Sequence, residues 1–303
     1  MLAAGTMFWG DTFLDSVLAN GVPSDEELRS ISSFLCAHDC LQFDTAEGYG
    51  FGSSESRLSK AVRNNNDNSK EVRIWTKFMP TVWRWTRESF FSSLHNSLDR
   101  LNQIKPAIYF IHTPVHPMFL SWVQWAFEAK REGLIKGVGL SNCGVVEVEA
   151  ALEIAKGFGD KIEANQIMFR FDEYLFPLCL FSDIVFRSLL DFACPSVKKV
   201  VHLCQKNDIK IIAYNILGQG LLTDRLNREN YGTFRGNLSL KCKKWNFFDG
   251  DESKLQKCFV ACLLTDCPLC EKSFRTLLEN TPPPWLLFVS IGQSDMDASL
   301  LLE

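Results

Sequence analysis

The sequence reads as an α/β protein, a (β/α)8 TIM barrel incomplete at its carboxyl end, and three observations lead there. Short apolar segments alternate with helix patterns at a spacing of ~30 residues, the mark of successive βαβ units in a parallel sheet. Polar residues with reactive side chains stand at the carboxyl ends of several different strand candidates, where barrel sites assemble. No glycine-rich fingerprint follows the first strand candidate. The nearest, Gly48-Tyr49-Gly50-Phe51-Gly52, comes after the second, so a doubly wound dinucleotide-binding sheet fits less well. One large barrel accommodates all 303 residues, so 1–303 is expected to be a single domain.

The elements follow in order. Ala4 to Phe8 is the first strand candidate, then a helix pattern from Ser24 to Asp39, with Ser24 and Glu27 spaced as a capping box. Leu41 to Phe43 precedes a helix pattern from Glu55 to Asn64, and Val72 to Thr76 precedes one from Arg87 to Leu101. Ala107 to Ile111 leads into Phe119 to Glu132, where Gly133 after Lys130-Arg131 suits a helix stop. Gly137 to Leu140, the helix pattern Gly144 to Gly157, and the strands Ile162 to Met168 and Ile209 to Tyr214 complete the regular part. Residues 223–284 are irregular and include a loop-like stretch, Asn230 to Asn237, and a cysteine-rich one, Cys258 to Cys270. A weaker eighth strand, Trp285 to Ile291, comes last. Only twelve residues follow it where a barrel ordinarily closes with helices, so partly uncovered outer strands and self-association are expected.

Composition excludes several classes. Hydrophobic residues at 46% and charged ones at 22% suit a globular chain with a full core. A net charge of -4 offers no basic footprint for nucleic acid. No apolar run approaches the roughly 18 residues of a membrane helix, and the amino terminus lacks the basic and apolar regions of a signal peptide. Eleven cysteines, an odd number spread along the chain, read as free thiols in a reducing, cytoplasmic setting. Cys258, Cys262, Cys267 and Cys270 lack the second close pair that structural zinc sites show, so no metal is expected.

The chemistry lies in Phe43-Asp44-Thr45-Ala46-Glu47-Gly48-Tyr49-Gly50, which sets a carboxylate and a phenol five residues apart past the second strand. The third strand runs into Lys77 and the fourth into His112. A phenol with a pKa of about 10 is a feeble acid at neutral pH. A neighbouring ammonium is expected to lower that value and ease proton transfer to a developing alkoxide. Asp44 would hold Lys77 in place, and His112 would orient and stabilise the substrate oxygen. Singly, each is an ordinary strand-end residue; at consecutive strand ends the four point to carbonyl reduction. Phe51, Trp83 and Trp85 lie on loops just beyond, and Trp83 is a candidate for lining a substrate pocket.

The series FDTAEGYG with Ser54-Glu55, TKF, YFIHTP, GLIKGVGLSN, ANQ and IIAYNILGQGLL resembles the aldo-keto reductases, in order, from about Gly5 to Leu222. The resemblance implies a (β/α)8 barrel that binds NADP(H) in extended form and reduces a small-molecule aldehyde or ketone. The family tetrad falls on Asp44, Tyr49, Lys77 and His112, with Tyr49 as proton donor. The nicotinamide carboxamide contacts fall on Ser141, Asn142 and Gln166, the stacking aromatic on Tyr214, and the pocket entry on Gly5, Thr6 and Asp44. The loop containing Leu217, Gln219 and Gly220 would wrap the pyrophosphate, where Gly218 and Gly220 permit close backbone approach. The carboxyl end departs from the family: Ser294 stands where a basic 2'-phosphate partner is usual, with Asp295 and Asp297 nearby. Weak discrimination between NADPH and NADH is therefore expected. Two other readings stay open, a regulatory nucleotide-binding subunit like the potassium-channel beta subunits, and a truncated, non-catalytic paralogue.

Overall fold

The computed structural model describes residues 2–11, 22–37, 39–63, 71–168, 197–214 and 289–291. All but Met168 belong to one compact unit made of Met1–Ile167, Ala193–Tyr214 and Pro283–Ser294. A second unit, Met168–Phe192, Asn215–Pro282 and Asp295–Glu303, otherwise lies outside the described residues, as do the segments 223–284 and Cys258 to Cys270.

The strands are β1 (Leu2–Gly5), β2 (Gln42–Asp44), β3 (Arg73–Phe78), β4 (Ile108–Ile111), β5 (Val138–Ser141), β6 (Ile162–Met168), β7 (Lys210–Tyr214) and β8 (Val289–Ile291). Between them run α1 (Asp25–Ala37), α2 (Ser53–Arg63), α3 (Arg87–Arg100), α4 (Phe119–Arg131), α5 (Val145–Phe158) and α6 (Val197–Lys206). The sheet order is β7-β6-β5-β4-β3-β2-β1-β8, and the ladders from β1 through β6 are parallel. This is the expected (β/α)8 pattern in incomplete form. Its eighth strand is the departure, because β8 pairs antiparallel with β1, Ala3 opposite Ser290.

Strands covered on both faces read as unbroken apolar runs. Ile108–Ile111 and Val138–Ser141 are buried at every position. Ala3, Trp75, Ile108, Phe110, Ala164 and Ile212, from β1, β3, β4, β6 and β7, pack into one cluster, so the sheet curls round its own interior. Gly139 in β5 makes room for it. A Cβ there would stand 2.6 Å from the Phe110 ring and 2.7 Å from Ile108. On the other side Phe78 meets Phe90 of α3 at 4.8 Å and Trp122 of α4 at 5.0 Å.

The helix signals act where the sequence places them. Ser24 Oγ accepts from the Glu27 N–H at 3.2 Å while Glu27 Oε2 accepts from the Ser24 N–H at 2.7 Å, satisfying two free donors at the start of α1. Gly133 follows α4 with a left-handed φ of 71°. The first strand starts two residues earlier than expected and ends three residues earlier. Thr6 leaves the ladder, its carbonyl accepting from the Trp9 N–H at 2.9 Å in a turn that buries Trp9. No described helix is long and apolar enough to cross a membrane. The described cysteines Cys36, Cys40, Cys143 and Cys204 are all buried.

Candidate active site

Parallel pairing brings the carboxyl ends of β2, β3 and β4 side by side, and with them Asp44, Lys77 and His112. Beyond Asp44 the chain turns into a short 3-10 helix, Tyr49–Gly52, whose φ values are 54° at Gly50, 52° at Phe51 and 92° at Gly52. This left-handed run follows Tyr49, whose phenol lies at the strand ends within 3.3 Å of Lys77 Nζ. A side chain at Gly52 would meet the Arg100 guanidinium, its Cβ 2.6 Å from Nε.

Lys77 is completely buried, and its ammonium donates three hydrogen bonds. They reach Asp44 Oδ2 at 2.8 Å, the Thr45 carbonyl at 2.8 Å and the Tyr49 hydroxyl at 3.3 Å. His112 stands edge-on to the Tyr49 ring with centroids 5.9 Å apart, and its backbone N–H donates to the Phe78 carbonyl at 3.1 Å. Asp44 Oδ1 and His112 Nδ1 are covered and lack a hydrogen-bond partner among the described residues. The four tetrad positions are therefore gathered at one point.

Burial dominates the titration of Lys77, His112 and Tyr49. It lowers the Lys77 ammonium, against the opposing pull of Asp44. His112 is pushed down to about 3, by burial first and the Lys77 charge second, so its imidazole is neutral at physiological pH. The Tyr49 phenol moves opposite to the sequence expectation. Burial, then the Asp44 charge, raise it well above the ordinary phenol value. Tyr49 accordingly keeps its proton through the neutral range.

Thr6 fastens β1 to this point through its N–H and Oγ1, which donate to the Asp44 carbonyl at 2.8 and 3.1 Å. Ser54 Oγ in turn donates to the Thr6 carbonyl at 2.8 Å and lies 3.2 Å from Thr45 Oγ1. Gly5 pairs with Asp44 across the ladder. Ser141, Asn142, Gln166 and Tyr214 meet at the ends of β5 to β7. Asn142 has a left-handed φ of 57° and its N–H donates to the Gln166 carbonyl at 2.8 Å. Asn142 Nδ2 donates to the His112 carbonyl and to Ser141 Oγ, both at 3.2 Å, and Oδ1 accepts from the Tyr214 hydroxyl at 2.8 Å. Leu217, Gln219 and Gly220 lie outside the described residues, as do Ser294, Asp295 and Asp297.

Sequence reasoning passed over Glu47 and Arg84. Glu47 is buried beside the tetrad, and Arg84, on the loop after β3, forms a two-pronged ion pair with it. A carboxylate among small residues between Asp44 and Tyr49 was the available signal; nothing local marked Arg84. The same loop leaves Trp83 and Trp85 largely exposed, and Phe51 is 85% exposed just past Tyr49.

The chain matches the aldo/keto reductase family over residues 1–258 and belongs to that family. It is 26% identical over 232 residues to the chloroplastic pyridoxal reductase of Arabidopsis thaliana, covering 73% of this chain and 58% of that protein. The glycerol dehydrogenase of Gluconobacter oxydans superimposes with a TM-score of 0.57 at 19% identity, over 94% of this chain and 80% of that one. An aldo-keto reductase of Bombyx mori, solved in complex with NADP, superimposes with a TM-score of 0.52 at 19% identity, over 75% and 65% of the two chains.

Proposed function

We propose that this protein is an NADPH-dependent reductase of aldehydes or ketones, with Tyr49 as the proton donor. The observation that carries this is the Lys77 ammonium bridging Asp44 and the Tyr49 hydroxyl at 2.8 and 3.3 Å. A protonated phenol, a charged ammonium behind it and a neutral imidazole at its edge form the donor set that a developing alkoxide requires. Lys77 stabilises the phenolate left after transfer, and Asp44 keeps Lys77 charged. His112 in neutral form carries one N–H with which to hold the substrate oxygen.

The residues fit a nicotinamide nucleotide. Asp44 Oδ1, covered and unpartnered, lacks a donor of the kind a ribose hydroxyl offers. Ser141 and Gln166 supply a hydroxyl and an amide for a carboxamide, while Asn142 is occupied by His112, Ser141 and Tyr214 and holds that cluster together. Tyr214, half-buried at the end of β7, is the aromatic for the ring, with Gly5 and Thr6 at its entry and Leu217, Gln219 and Gly220 for the pyrophosphate. When bound, the nucleotide supplies the hydride. The NADP seen with the Bombyx mori relative and the aldehyde named in the plant pyridoxal reductase support this reading.

Tyr49→Phe tests it. The variant should bind NADPH as the wild type does while kcat for a generic aldehyde falls at least about 100-fold, the scale of general acid catalysis. Equal turnover would refute the assignment. Nucleotide binding without wild-type turnover would favour the regulatory-subunit reading.

A further inference from the structure

We propose that Glu47 and Arg84 are a positioning pair that holds Tyr49 at Lys77, an inference that rests on the reductive reading of the tetrad. Glu47 is a buried carboxylate met by four donors. The Met79 N–H and Arg84 Nη1 reach Oε1, while Arg84 Nη2 at 3.2 Å and Ser93 Oγ at 2.6 Å reach Oε2. Arg84 is fixed in its turn. Nη1 donates to the Met79 carbonyl at 2.8 Å, and the guanidinium lies 4.9 Å from the Phe78 ring centroid.

The Glu47 backbone belongs to the turn between Asp44 and Tyr49. Its N–H donates to the Lys77 carbonyl at 3.3 Å, and two residues on the Tyr49 N–H donates to the Ala46 carbonyl at 3.0 Å. The pair thus pins the middle of that turn to the chain that continues from Lys77. Of the three Lys77 hydrogen bonds, the one to Tyr49 is longest, 3.3 Å against 2.8 and 2.8 Å, so it is the first lost when the turn shifts. Neither Glu47 nor Arg84 has a hydrogen bond to Ser141, Asn142, Gln166 or Tyr214 among the described residues. Loosening the pair therefore displaces the phenol and leaves the nucleotide side in place.

The experiment labels all tyrosines with 13C at Cζ in wild type, Glu47→Gln, Arg84→Met and Arg84→Lys, and finds the Tyr49 resonance by its loss in Tyr49→Phe. Glu47→Gln and Arg84→Met should displace that resonance and lower kcat about 10- to 100-fold, the scale of a misplaced reacting group, with NADPH affinity unchanged. Arg84→Lys, which keeps the charge but not the fork, should restore part of both. A Tyr49 resonance that stays in place in both variants overturns the proposal. So does a joint fall of kcat and NADPH affinity with no displacement, which would mark general loosening. Should Glu47→Gln not fold, Arg84→Met against Arg84→Lys decides by the same resonance. A wild type without turnover would remove the reductive reading, and the resonance alone would then decide whether the pair positions Tyr49.

Discussion

Replacing Lys77 by methionine removes the charge on which the whole site is built. The Lys77 side chain is 1% exposed and that of Asp44 9%, and their ion pair spans 2.8 Å. Methionine has similar length, so the packing is largely kept and the electrostatic loss dominates. It would leave the Asp44 carboxylate buried with neither oxygen paired, since Oδ1 already lacks a partner. Breaking one side of a buried pair costs about 3–5 kcal/mol. That is a large share of a domain's stability of roughly 5–15 kcal/mol. The assay is equilibrium unfolding in urea, run as a cycle with Asp44→Asn and the double variant. Asp44→Asn on top of Lys77→Met removes the stranded charge and should return about 0.5–3 kcal/mol, the size of coupling between residues in direct contact. Turnover should fall with Lys77→Met and stay low in the double variant, because the phenolate of Tyr49 has lost its ammonium. A Lys77→Met cost under ~1 kcal/mol, or one that Asp44→Asn leaves unchanged, would refute this reasoning.

Three further outcomes are expected. His112 is held near 3 when folded, against about 6.5 for a free imidazole. Below ~6.5 the unfolded chain takes up a proton that the folded chain refuses, so stability is full above that pH and is lost as pH falls toward 3. His112→Gln should flatten the pH dependence of the urea midpoint between ~6.5 and ~4, and an unchanged slope would count against the burial argument. Gly52→Ala forces a Cβ into a φ of 92° and against Arg100, and should cost at least about 1–3 kcal/mol in thermal or urea unfolding; a neutral substitution would mean the turn relaxes freely. Tyr214→Phe removes the hydroxyl that donates to Asn142 at 2.8 Å. It should lower stability by about 0.5–1.5 kcal/mol and weaken NADPH binding as Asn142 loosens; nucleotide affinity equal to wild type would separate Tyr214 from the cofactor side.

What the sequence by itself determined is what short-range chemistry decides. Apolar runs of strand length between amphipathic helix patterns imply a parallel sheet with helices outside, and the Ser24–Glu27 capping box acts within three residues of chain. Strand ends that carry Asp44, Lys77 and His112 also fall where parallel register must bring them together. The tertiary structure decided whatever depends on partners far along the chain. Glu47 and Arg84 are 37 residues apart, and Asn142 and Tyr214 are 72 apart, so no local pattern announces either contact. The direction of β8 is likewise absent from its own three residues, Val289 to Ile291, whose antiparallel partner is β1 at the far end of the chain. The proton on Tyr49 shows the difference most directly. From the sequence, a neighbouring ammonium argues for a lowered phenol, because composition and spacing carry charge but not burial. In the folded chain desolvation outweighs that charge and raises it, since the cost of ionising a group depends on the medium the whole fold builds around it.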